Sequence, residues 1–117
     1  MRTAAERDGF ELPAVIQRYQ AAHDDHDTDR ALAAFTADAT VIDEDRTYRG
    51  CDEIRQWLST VAREFTYTRT YIGAEVIESN TWLVRNRLEG NFPGGVANLR
   101  YRFVLKDGLI AELAIAP

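Results

Sequence analysis

Two runs of strict alternation, TWLVRNRLEGN and VANLRYRFVL, constrain this chain more than any other feature. The first sets Trp82, Val84, Asn86 and Leu88 against Leu83, Arg85, Arg87 and Glu89. The second sets Leu99, Tyr101 and Phe103 against Arg100 and Arg102. A period of two belongs to strands buried on one face only. With the turns FPGG and KDG and the closing LIAELAIA, it predicts an antiparallel meander that starts in the Thr- and Tyr-rich segment 65–78. One sheet face is apolar and aromatic; the other carries arginines.

Before Phe65 the spacing is helical. Leu12, Val15, Ile16, Tyr19, Ala22 and His23 share one face of a helix over 12–25, with Pro13 in its first turn. Asp27 suits the cap of a second, shorter helix with apolar positions Ala31, Leu32 and Phe35. A short strand is predicted over 39–43, then the turn DEDRTYRG over 43–50, then a third helix that buries Ile54, Trp57, Leu58 and Val61. This order gives an α+β fold: a curved antiparallel sheet wrapped as a cone over three N-terminal helices, with a central pocket.

A chain of 117 residues buries enough surface for one core, so residues 12–117 are read as a single domain and residues 1–11 as a flexible polar segment. The net charge of −5, without clustered Lys and Arg, argues against a nucleic-acid partner. No run approaches the ~18 apolar residues of a membrane span. Cys51 is the only cysteine and has no internal disulfide partner, and the N-terminus lacks an apolar signal region, so a cytoplasmic location is expected.

The words AVIQRYQAA, DTDRALAAFTADATVID, YRGCDEIRQWL and RYRFVLKDGLIAEL, in this order, resemble the nuclear transport factor 2-like superfamily, which includes SnoaL-like proteins and ketosteroid isomerase. They cover most of residues 12–115. The resemblance implies a pocket for a small apolar or aromatic molecule, an isomerase-like or cyclase-like proton transfer, and a homodimer through the outer sheet face. By position it matches Asp43 to a general base, Tyr19 to a helix 1 tyrosine donor and Trp57 to a pocket aromatic. It also marks two departures. Leu99 stands where the isomerases carry a protonated acid, and Leu58 where they carry a supporting tyrosine.

Asp43 occupies the next inward position after Ala39 and Val41, either as an acid at the rim of an apolar cavity or as a turn residue near Arg46 and Arg49. Tyr19 either donates into the pocket or packs its ring in the helix 1 core. Asn86 is the one polar member of its inward row. It either finds partners inside or sits at an open rim in water. Trp57, Asn86, Leu99, Tyr101, Val41 and Phe35 are assigned to ligand binding, with Asp43 and Tyr19 catalytic. His23 and His26 in HDDHD have a spacing seen in metal sites, but the end of helix 1 accounts for them, and no metal or cofactor is expected. The alternative function is a non-catalytic binding or dimerisation module.

Overall fold

The computed structural model describes residues 12–117, so the segment 1–11 expected to be flexible lies outside the described residues. The elements are α1 (Ala14–Asp24), α2 (Thr28–Leu32), β1 (Phe35–Asp43), β2 (Arg46–Arg49), α3 (Gly50–Ser59), a 3-10 turn (Val61–Arg63), β3 (Tyr67–Glu78), β4 (Thr81–Gly90), β5 (Val96–Lys106) and β6 (Leu109–Ala116). One six-stranded sheet runs in the order β2-β1-β6-β5-β4-β3. Every pairing is antiparallel except β1 with β6, which is parallel. The long connection through the meander permits that exception, because a tight turn joins only antiparallel neighbours.

Helix α1 buries the face its spacing marks: Val15, Ile16, Tyr19 and Ala22, with Leu12 just ahead of it. It stops where His26 turns left-handed at φ 56° and the Asp27 N–H bonds back to the Ala22 carbonyl at 2.9 Å. The Asp27 side chain then caps α2, accepting from the Arg30 N–H at 3.2 Å. At α3, the Glu53 carboxylate reaches back to the Arg49 N–H at 2.8 Å, and Asp52 and Glu53 complement the positive helix end.

The sequence expectation needs two corrections here. Residues 46–49 form strand β2 instead of a turn, because Glu44 and Asp45 both adopt left-handed φ (52° and 64°) and close a two-residue hairpin. Phe35, assigned to helix 2, opens β1 instead. Its ring is buried against Tyr19.

The core lies between α1, α3 and the inner sheet face, where Ile16, Val41, Ile54, Val84, Phe103, Ile110 and Leu113 are fully buried. The alternation on β4 and β5 holds: Val84, Asn86, Leu88, Tyr101 and Phe103 are buried, whereas Arg85, Arg87, Arg100 and Arg102 are exposed. Those outer arginines are mostly neutralised within the chain, by Arg85–Glu75, by Arg87–Glu89 at 3.7 Å and by Arg102–Glu112 at 3.1 Å.

Candidate functional site

A cavity of about 520 Å³ opens between the end of α1, the end of α3, the β1–β2 turn and the β4–β5 turn. This lies within the size range of small-molecule sites. Its walls are mostly apolar and aromatic, including Trp57, Val61, Phe65, Leu88, Phe92, Leu99 and Ile115. Its polar groups are His23, Tyr67, Tyr101 and four acids: Asp43, Glu44, Asp45 and Glu64.

Asp43 is the last residue of β1 and faces inward like Val41 before it, with Ile115 beside it on β6. Its carboxylate accepts from the indole Nε1–H of Trp57 at 3.1 Å. Trp57 is 2% exposed, held on the buried face of α3 with Tyr48 stacked on it at 6.2 Å between ring centres. Burial raises the proton affinity of Asp43 above the usual aspartate value; the Trp57 hydrogen bond opposes this and the nearby Glu44 charge adds to it.

His23 is the last inward residue of α1, and its ring lies between those of Trp57 (6.0 Å) and Tyr67 (6.5 Å, stacked). The Tyr67 hydroxyl approaches His23 Nδ1 at 3.5 Å. Tyr67 owes its place to Gly90: a Cβ there would lie 2.2 Å from the Thr66 carbonyl oxygen and 2.5 Å from the Tyr67 Cβ, so only glycine lets the strands meet so closely. Burial pushes the Tyr67 hydroxyl up to about 12, with the Asp24 charge adding to it. It also raises the Tyr101 hydroxyl. Both phenols therefore stay protonated donors at neutral pH.

Of the residues assigned from sequence, Asp43, Trp57, Leu99 and Tyr101 line this cavity together. Tyr19, Val41, Phe35 and Asn86 do not; they lie in the core behind it. Tyr19 is 2% exposed, its ring edge-on to Phe35 at 5.3 Å and to Phe103 at 5.9 Å. Burial drives its hydroxyl well above the usual tyrosine range. Asn86 is not at a wet rim. It is buried, donates to Gln20 Oε1 at 2.8 Å and accepts from Arg69 Nη1 at 3.1 Å. Arg69 also holds Asp24, with Nη2 to Oδ2 at 2.8 Å, so this cluster pins the last turn of α1 to β3 and β4.

Sequence reasoning passed over His23 and Tyr67 as site residues. Each carried a signal. His23 sits four positions after Tyr19 on the apolar face of α1, and Tyr67 begins the inward series Tyr67, Arg69, Tyr71 on β3. Among the described residues, no three His, Cys, Asp or Glu side chains gather as a metal site would require.

The sequence profile of the SnoaL-like domain matches residues 16–113. No curated protein matches the chain significantly. Among solved structures, a candidate polyketide cyclase from Sinorhizobium meliloti is 33% identical, with 92% of this chain and 97% of that one covered and a TM-score of 0.86. SalBIII, an epoxide hydrolase/cyclase-like enzyme of pyran ring formation in the polyether salinomycin, is 17% identical, with coverages of 93% and 92% and a TM-score of 0.76. The RV0760c protein of Mycobacterium tuberculosis, solved with estradiol-17beta-hemisuccinate, is 14% identical, with coverages of 89% and 91% and a TM-score of 0.74. Profile and identity agree, and the chain belongs to the SnoaL-like domain family.

Proposed function

We propose that the cavity binds a small apolar or aromatic molecule and that Asp43 acts on it as a general base, in an isomerase-like or cyclase-like proton transfer. The observation that carries this reading is the Asp43 carboxylate on the wall of an aromatic cavity, anchored through one oxygen by Trp57. Poor solvation makes a carboxylate a stronger base, and the Trp57 N–H fixes its direction. The 33% identity to a candidate polyketide cyclase supports the reaction class, and the steroid complex of a protein with the same fold supports an apolar ligand.

If the proton leaves a carbon next to a carbonyl, negative charge develops on the carbonyl oxygen and needs donors. In this reading Tyr67 and Tyr101, both on the cavity wall, take the role first expected of Tyr19, which supports the site from behind. Leu99 offers no hydrogen bond where an isomerase has an acid. One missing oxyanion donor typically costs about 3 kcal/mol, or roughly a hundred- to a thousand-fold in rate. Turnover is therefore slow, or confined to substrates whose C–H is already acidic. Leu99 equally favours a second reading, ligand binding without turnover.

The same proposal includes a homodimer through the outer sheet face and a cytoplasmic location. Arginines on that face suit an interface, and the single cysteine is exposed and free. No helix among the described residues is long and apolar enough to cross a membrane.

Turnover of a β,γ-unsaturated ketosteroid by wild type, Leu99→Asp and Asp43→Asn tests the reaction. A carboxyl in this apolar position can stay protonated and donate, so Leu99→Asp should be the faster enzyme. Activity that survives Asp43→Asn removes Asp43 as the base; no activity in any variant leaves the binding reading.

A further inference from the structure

We infer that the cavity selects ligands that carry a positive charge, a protonated amine on an apolar or aromatic body, and rejects carboxylates. This rests on the reading of the cavity as a ligand site and adds the charge of the ligand.

The carrying observation is an uncompensated carboxylate. Half-buried acids are normally paired with a cation, because taking a charge out of water is costly unless a counter-charge or several hydrogen bonds replace the solvent. This chain follows that rule even at exposed acids, Asp24 held by Arg69 at 2.8 Å and Asp29 by Arg55, and at the partly buried Glu112 with Arg102. Asp43 departs from it. Trp57 is its only hydrogen-bond donor among the described residues, and no Lys or Arg pairs with it, although Arg46 stands opposite across the hairpin.

The other three acids of the cavity behave likewise. Glu44, Asp45 and Glu64 make no ion pair among the described residues, and the described lining contains no Lys or Arg. Four like charges thus face one opening on a chain of net charge −5. Such a mouth raises the local concentration of cations and lowers that of anions. Inside it, the aromatic side chains of Tyr67 and Phe92 line the wall, and an aromatic ring attracts a desolvated ammonium over its face. The ligand's own nitrogen then supplies the counter-charge that the protein withholds, while its apolar body lies against Leu99 and Ile115.

Calorimetric titration with 2-naphthylmethylamine, 2-naphthylmethanol and 2-naphthoate tests this at pH 7, since the three share one ring system and differ in charge. We expect the amine to bind roughly tenfold tighter than the alcohol and the carboxylate to bind weakest, as opposite and like charges at contact range imply. The amine-to-alcohol ratio should fall towards one in Asp43→Asn, should fall partly in Glu44→Gln/Asp45→Asn, and should shrink at 0.5 M salt. The paired rim variant alters only exposed hairpin-turn side chains and keeps their shapes, so a folding defect does not confound it. A carboxylate that binds as tightly as the amine overturns the inference and leaves the ligand site standing. So does a ratio that neither variant changes. Failure of all three compounds to bind overturns the ligand-site reading and this inference with it.

Discussion

Replacing Asn86 by Ala tests whether the polar cluster behind the cavity holds α1 against the sheet. Asn86 is 1% exposed and links Gln20 to Arg69 through bonds of 2.8 and 3.1 Å. Removing its amide strands the Gln20 oxygen, on a residue 6% exposed, away from water, which costs about 1–3 kcal/mol. The lost bond to the Arg69 guanidinium adds about 1 kcal/mol, a reduced value because Arg69 keeps its pairing with Asp24. The sum is about 3 kcal/mol, which for a chain of this length lowers the thermal midpoint by roughly 12 °C. Urea denaturation followed by circular dichroism would measure it, alongside Gln20→Ala and the double variant. Both single changes break the same bond, so the cycle should show a coupling of about 1–2 kcal/mol. A loss below about 1 kcal/mol, or strictly additive losses, would refute the account of this cluster.

Trp57→Phe removes the one hydrogen bond among the described residues that favours the ionised form of Asp43, so the Asp43 titration followed by carboxyl NMR should move further upward; a downward move contradicts the described geometry. Because burial already holds Asp43 above 3.8, the native state keeps its proton to higher pH than the unfolded chain does. Its contribution to stability therefore falls as pH rises from 3.8 through the folded value. Asp43→Asn should flatten that segment of the stability curve, and a wild-type curve that rises there because of Asp43 would reverse the sign. For the proposed dimer, light scattering should give twice the 13.3 kDa chain mass at micromolar concentration, and a monomer mass counts against it.

The face assignments of β4 and β5 were legible because a period of two fixes which side chains point inward once one face is buried. Helix α1 and the Asp27 cap were legible for similar local reasons: a stripe of apolar residues and a short acceptor at a helix start. Strand β2 was not. Its four residues, RTYR, are too few and too polar to show a period, and its pairing depends on two non-glycine residues accepting left-handed φ. The two readings of Asn86 could not be separated from sequence because its partners, Gln20 and Arg69, come from other elements. Depth was the other hidden quantity. Tyr19 and Tyr101 both point inward, but Tyr101 on β5 reaches the cavity wall and Tyr19 on α1 packs behind it against Phe35 and Phe103.

The proposed role of Asp43 is that of a reachable base in an apolar cavity. The most direct test is the ring opening of 5-nitrobenzisoxazole, a flat neutral aromatic that needs only loss of one C–H proton. The carboxylate takes that proton, the C–H electron pair becomes the third bond of a nitrile, the N–O bond breaks onto oxygen, and the single product is a coloured cyanophenolate. Wild type should show saturable turnover that increases as Asp43 loses its proton with rising pH and that is lost in Asp43→Asn. Equal rates in wild type and Asp43→Asn, or a wild-type rate no greater than that of free acetate at the same carboxylate concentration, would contradict it.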